Sequence, residues 1–168
     1  MNILIVTELV DKNHDMFGFF HGRTLDFARQ CEKLTIICLE LREHNLPPNV
    51  KTLSLGKEKK RSRLAYTWKL LKYSWTERKN YDRVFVHLTP HYVVLGGWLW
   101  RLLGKEVVLW YSHTFVDWWL WVAEKFANVI LTTSENKFRI KSTKVKIFDG
   151  KTDLEAYLCY LKEIGEKY

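Results

Sequence analysis

Lys105-Glu106-Val107-Val108-Leu109-Trp110-Tyr111-Ser112-His113-Thr114 and Ala123-Glu124-Lys125-Phe126-Ala127-Asn128-Val129-Ile130-Leu131-Thr132-Thr133-Ser134-Glu135 decide how this chain is read. Each is an apolar run, rich in β-branched residues, that stops at polar groups where a buried strand would end. In an open parallel sheet the loops leaving the carboxyl ends of the strands form the crevice that holds ligands. The polar residues at these stops, Ser112-His113 and Thr133-Ser134, are therefore the first candidates for a site.

Strand-like and helix-like runs alternate on either side of these stretches. Asn2 to Thr7 reads as a buried strand, and apolar residues from Met16 to Cys31 (Phe17, Phe20, Thr24, Phe27, Ala28, Cys31) recur at helical spacing. Leu34 to Leu39 is a second strand; Leu46-Pro47-Pro48-Asn49 is a turn, and Val50 to Leu55, closed by Gly56, a third strand. A basic run, Lys57 to Arg63, leads into a helix with Leu64, Trp68, Leu71 and Trp75 on one stripe. Arg83 to His87 is a strand, Tyr92 to Leu103 a helix ended by Gly104, Glu106 to Tyr111 a strand and Val116 to Phe126 a helix. Asn128 to Thr133 and Lys144 to Phe148 complete the strands. Thr152-Asp153-Leu154-Glu155 matches a capping box and opens a helix with Leu154, Tyr157, Leu158, Leu161 and Ile164 on one face. The alternation predicts an α/β fold: one Rossmann-like, doubly wound, mainly parallel sheet of about seven strands, with helices on both faces.

Composition narrows the classes. A chain of 168 residues, 47 % hydrophobic and 27 % charged, is long enough for one well-formed core and is globular rather than disordered. The net charge of +8 favours an anionic partner: nucleic acid, anionic lipid or a phosphorylated ligand. Cys31, Cys38 and Cys159 are odd in number and form no CxxC pair. They read as small core residues in a reducing cytosol, Cys31 and Cys159 on helices and Cys38 on a strand. Glu8 and Asp11 follow the first apolar run with no basic n-region, so a signal peptide is not expected. No uncharged apolar stretch reaches the roughly 20 residues that span a bilayer; the longest, Tyr92 to Trp100, stops at Arg101. A cytoplasmic protein, able to lie on the inner face of the cell membrane without crossing it, is the expectation.

The first strand-to-helix turn lacks GxGxxG, and no P-loop, GxSxG or HExxH occurs, which argues against a conventional dinucleotide site, a P-loop NTPase, an α/β-hydrolase and a zincin. His87 and His91 are four apart, but Pro90 intervenes and no Cys or carboxylate cluster accompanies them, so no metal site and no cofactor is assigned. His113 has two readings that position alone leaves open: a donor or acid–base group in the crevice, or a loop histidine capping the next helix. Lys57, Lys59, Lys60, Arg61 and Arg63, with Trp68 beyond them, read either as a solvated face or as a surface for anionic membrane. Nucleic acid is the less favoured partner, because Trp118-Trp119-Leu120-Trp121-Val122 offers no cation before Lys125.

With these residues in order, the chain resembles the N-terminal domain of a GT-B glycosyltransferase of family 4, the retaining, nucleotide-sugar-dependent group. The resemblance rests on Asn2 to Thr7, Tyr81 to His87, Leu95 to Lys105, Val108 to His113, and Ile130 to Glu135 followed by Arg139, and covers roughly residues 1–148. It implies a domain that binds a lipid or glycan acceptor, with a separate second domain holding the nucleotide-sugar. It implies that His113 faces the transferred sugar, and that Glu8, His87 and Ser134 line the neighbouring strand ends. Gly18, with Gly22, stands where the family has a Gly-rich acceptor loop. Membrane-associated members use a basic amphipathic helix resembling Lys57 to Trp75.

After Phe148, where such enzymes continue through a linker into a second domain, residues 149–168 instead lead into one helix, expected to pack back on the same domain. The donor signature Glu-x7-Glu belongs to that second domain. Its literal matches here, Glu32/Glu40 and Glu155/Glu163, lie outside the right context. The expectation is an acceptor-side half with little catalysis alone, completed by a separate donor-binding chain or a homodimer. Its rivals are a non-catalytic membrane-surface or scaffold module, an isolated folding unit, and a nucleotide- or nucleic-acid-binding Rossmann-like protein.

Overall fold

The computed structural model describes residues 1–14, 18–60 and 62–164. Among these residues seven strands form one sheet in the order β3-β2-β1-β4-β5-β6-β7, and five α-helices accompany it. The strands are β1 Asn2–Val10, β2 Lys33–Leu41, β3 Val50–Ser54, β4 Arg83–His87, β5 Glu106–Trp110, β6 Val129–Thr132 and β7 Val145–Ile147. The helices are α1 Gly18–Ala28, α2 Arg63–Thr76, α3 Pro90–Leu102, α4 Trp118–Phe126 and α5 Asp153–Glu163. This is the expected α/β, Rossmann-like architecture. The chain forms two compact units, Met1–Val84 and Phe85–Tyr168.

In the first unit β1 pairs in parallel with β2 from Asn2↔Lys33 to Val10↔Leu41, so β1 runs three residues past the expected end at Thr7. The reason is β2, which continues to Leu41 and offers ladder partners that the polar Glu8 does not interrupt. β1 is buried from Ile3 to Thr7, as parallel strands covered on both faces require. The buried face of α1 is Phe20, Thr24, Phe27 and Ala28. Met16 and Phe17, expected to begin that stripe, lie outside the described residues. Cys31 is buried but lies beyond the end of α1, not on it. Burial pushes the thiols of Cys31 and Cys38 up to about 12, so both stay protonated and inert.

α2 is capped by Ser62, whose Oγ accepts the Ala65 N–H at 3.3 Å. The helix packs through Leu70 and Ser74, and Tyr81 donates from its hydroxyl to the Ser74 carbonyl at 2.8 Å. The Leu64, Trp68 and Trp75 stripe points the other way: Leu64 is 83 % and Trp68 61 % exposed. Cations lie over these indoles, Lys72 above Trp68 at 4.8 Å and Arg78 above Trp75 at 4.4 Å.

In the second unit β5, β6 and β7 pair in parallel. α3 begins with Pro90 at its first turn and ends before Gly104, whose φ of +68° suits a residue with no Cβ. α4 starts at Trp118, two residues after the expected Val116, because Asp117 accepts the Leu120 N–H at 2.8 Å and fixes the start there. In α5 the capping box forms, Glu155 accepting the Thr152 N–H at 2.9 Å. α5 packs on its own unit: Tyr157 stacks on Phe85 at 4.7 Å, and Tyr160 donates to Glu106. Cys159, expected in the core, is only half-buried on that helix.

Two neighbouring glycines let α3 fit. A Cβ on Gly97 would stand 2.8 Å from Phe126 Cβ of α4, and one on Gly96 would stand 2.7 Å from the buried indole of Trp100. The first contact is with a rigid atom of the adjoining helix, so Gly97→Ala forces α3 and α4 apart. We expect it to cost about 1–3 kcal/mol, as overpacking of a filled interior does. Gly22, inside α1 with nothing within 4 Å of its added Cβ, gives the opposite result. Gly22→Ala should stabilise by about 0.5–1 kcal/mol through helix propensity alone. Urea denaturation midpoints of the two variants measure both.

Candidate functional site

The loops at the carboxyl ends of β5 and β6 bring Tyr111, Ser112, His113 and Thr133 together in the second unit. Tyr111 directly follows β5; its N–H donates to the Leu131 carbonyl of β6 and its hydroxyl to the Phe115 carbonyl at 2.7 Å. That bond closes 111–115 into a short loop with Ser112 and His113 at its turn. Burial, with Asp117 nearby, pushes the Tyr111 hydroxyl up, so the group remains a donor at neutral pH. The Tyr111 ring meets His113 edge-on at 5.7 Å and Phe138 at 6.2 Å. Ser112 and Thr133 hydroxyls are 2.6 Å apart, tying this loop to the one after β6, where Ser134 is half-buried. His113 itself is exposed, resting on Tyr111, and presents its imidazole to solvent.

An aromatic shelf continues from this loop. Phe115 is 69 % exposed, Trp118 and Trp121 are more than half exposed, and Trp119 sits 3.8 Å from Trp118 and 4.4 Å from the His91 ring. The Trp118-to-Val122 segment thus divides, with Leu120 in the core and two indoles facing out.

His87 has a different setting. It ends β4 at 3 % exposure, and its Nε2 lies 2.7 Å from Oδ2 of the equally buried Asp153, the first residue of α5. Asp153 Oδ1 meanwhile accepts the Leu154 N–H at 2.9 Å. His87 is therefore held beneath α5, away from solvent, while His91 stacks on Trp119. The turn between them places Leu88 at φ 62°, uncommon for a residue with a Cβ, and its N–H donates to the Trp110 carbonyl at 2.9 Å. Breaking a buried pair of this kind leaves an uncompensated polar group, so its role in this arrangement is to seat α5.

In the first unit, Glu8 is half-buried on β1. Gly18 opens α1, its N–H donating to the His14 carbonyl at 2.6 Å; an added Cβ would meet the Lys12 carbonyl oxygen at 3.1 Å. The backbone approach explains a glycine there. At and just beyond the ends of β1 and β2 lie paired charges: Lys12–Glu43, Arg42 with Glu40 and Asp11, and Lys57–Glu40. Lys59, Lys60 and Arg63 are exposed around the start of α2, with Lys60 at φ 49°, while Arg61 lies outside the described residues. Tyr111, Phe138 and Asp153 were absent from the sequence-based candidates. Tyr111 could have been found as the last aromatic of a buried run; Asp153 looked like helix-cap chemistry alone.

Comparison with solved structures gives this architecture a counterpart. HepE of Anabaena in complex with UDP superposes with a TM-score of 0.61 at 14 % identity, covering 98 % of this chain and 50 % of that one. UDP-GlcNAc 2-epimerase of Methanocaldococcus jannaschii gives 0.56 at 14 %, over 98 % and 50 % of the two chains. MurG of Acinetobacter baumannii gives 0.55 at 14 %, over 89 % and 45 %. The fold is that of one GT-B half. The chain spans about half the length of the solved structures it matches. No known family profile matches the sequence, and no curated protein matches it either.

The His21 ring gives the first unit a pH dependence. Its Nε2 accepts the Asn45 N–H at 3.1 Å, which requires that nitrogen unprotonated. Burial first, then the charges of His44 and Lys12, hold its pKa below 6.5, with Asp11 opposing. The unfolded chain takes up this proton as pH falls through about 6.5 while the folded chain does not. Stability is therefore full above that value and declines below it. Urea unfolding between about pH 7.5 and 5.5 should show this decline, and His21→Gln should flatten it.

Proposed function

We propose that this chain is the acceptor-side half of a nucleotide-sugar-dependent, retaining glycosyltransferase of family 4, acting on a lipid or polysaccharide precursor. The observation that carries the reading is the match of nearly the whole chain to one half of GT-B structures, among them a complex with UDP. In this reading His113 donates a hydrogen bond to a hydroxyl of the transferred sugar. Tyr111 fixes the imidazole by ring contact, and its bond to Phe115 holds the loop that carries it. Ser112 and Thr133, already paired, set the spacing of the two loops, and Ser134 offers a further hydroxyl. Glu8 and Gly18 serve the acceptor. In this reading residues 1–168 supply the acceptor side only, and the carboxylate and cations that hold a nucleotide-sugar are provided from outside them, so these residues alone transfer little or no sugar.

Calorimetry with a panel of UDP-, GDP- and ADP-sugars tests the division of labour. We expect no saturable heat from the folded monomer. Tight saturable binding, or sugar transfer by the chain alone, would replace the half-site reading with a complete enzyme.

A second reading, a module at an anionic membrane surface, is favoured by the outward stripe of α2. Leu64, Trp68 and Trp75 stand clear of the core, with Lys59, Lys60, Arg63 and Lys72 around them. Indoles suit the headgroup boundary and each lysine near an anionic surface contributes about 1 kcal/mol. No described helix is long and apolar enough to cross a membrane. Vesicles containing phosphatidylserine should bind the chain, and Lys59→Ala with Lys60→Ala should weaken binding roughly thirtyfold. Equal binding to neutral vesicles would remove the electrostatic part of this reading.

A further inference from the structure

β7 ends the sheet with an edge that its own connection leaves open. The twelve residues between β6 and β7 contain no α-helix, only the one-turn 3-10 segment Glu135–Lys137. A parallel strand normally has a helix across each face, because an uncovered face leaves apolar side chains in water. One face of β7 is covered: Lys146 reaches α5, pairing with Glu163 at 2.9 Å and lying over the Tyr160 ring. Side chains alternate along a strand, so Val145 and Ile147 lie on the other face. There they line an open groove of about 610 Å³ together with Phe138 and Ile140, and Ile147 is 44 % exposed.

The backbone of β7 is open on the same side as its outer edge. Ile130 N–H donates to the Lys144 carbonyl and Phe148 N–H to the Thr132 carbonyl, so the even-numbered residues face β6. In a parallel ladder the intervening residues then point their N–H and C=O outward. Val145 and Ile147 thus offer a donor and an acceptor each to a further strand.

Charge selects what that strand is. Lys137, Arg139 and Lys141 are exposed beside the groove and make no ion pair among the described residues, against a single rim acid, Glu135. A second copy of this chain would bring the same cations against themselves on a molecule of net charge +8. Phe138 is buried as groove floor, which leaves no exposed ring there on which a nucleobase could stack.

We propose that the β7 edge takes an extended, acidic segment of a partner polypeptide as an eighth strand, its apolar side chains on Val145 and Ile147 and its carboxylates on Arg139 and Lys141. Main-chain bonds to the edge supply affinity and the alternate side chains supply selection, as in other strand additions. The proposal does not depend on the glycosyltransferase reading.

The test uses the full chain and a short fluorescein-labelled peptide with valine and glutamate taking turns at every second position and threonine between them, so that both face the groove, with a valine–lysine peptide of the same pattern as control. Anisotropy should show saturable binding of the acidic peptide alone, weakened by salt. Lys141→Glu, at an exposed position, and Ile147→Pro, which removes an outward N–H that β6 does not use, should each weaken it about tenfold. Hydrogen exchange read at the amides of Val145 and Ile147 should slow on binding, which a peptide held by charge alone would not cause. Absence of saturation up to about 1 mM, or binding that leaves both amides unprotected, overturns the proposal. Sedimentation showing that β7 is already covered by a second copy overturns it equally.

Discussion

A parallel strand has no face that water tolerates, and almost every feature of this chain follows from covering its strands. Ile3 to Val6 of β1, Leu34 to Cys38 of β2, Val84 to Val86 of β4 and Val107 to Leu109 of β5 are all excluded from solvent. Four of the six connections between the described strands are therefore helices, α1 to α4, and the caps Ser62, Asp117 and Thr152–Glu155 determine where α2, α4 and α5 begin. Where space is tightest the chain gives up side chains altogether, as at Gly96 and Gly97. Functional groups are left to the loops, because only there can a polar side chain meet solvent without breaking the core.

The same demand sorts residues of one type into opposite roles. His87 ends β4 and His113 follows β5, both in the second unit, yet Asp153 and α5 enclose the first while the Tyr111 loop holds the second out. The charged groups show a comparable balance at Glu124. Its burial pushes the carboxyl upward, but Ser142, Lys125 and Lys144 together outweigh that and hold it below the usual carboxylate range. The result is a fixed tie between α4 and the residues leading to β7. On the surface of α2, by contrast, apolar side chains stand in water under neighbouring cations, an arrangement that no packing within the first unit explains.

Strand and helix order could be read from the sequence because each strand is a short β-branched run and each helix a period of three to four. β4 is found where its residues predict, and the capping box of α5 forms as written. Boundaries moved for tertiary reasons: β1 lengthened because β2 offered partners to Leu41, and α4 began late because Asp117, not the apolar pattern, sets its start. The direction of the α2 stripe was not legible. Periodicity shows that Leu64, Trp68 and Trp75 share a face but not which side of the helix meets the sheet; Leu70 and Ser74 decide that. For the site, the strand ends pointed to Ser112, His113 and Ser134, while the Tyr111–Phe115 bond and the His87–Asp153 contact join residues whose relation only folding reveals.

The distribution of indoles affects how this molecule can be watched. Trp100 and Trp110 are enclosed by the core, whereas Trp68, Trp75, Trp98, Trp118 and Trp121 already stand in water when the chain is folded. Five of the eight indoles are thus already about half in water when folded, and an intrinsic-fluorescence melt would report the core's transition chiefly through Trp100 and Trp110. Those same wet indoles lie on the outer sides of α2, α3 and α4, so their emission is a native reporter for whatever comes to rest against those helices.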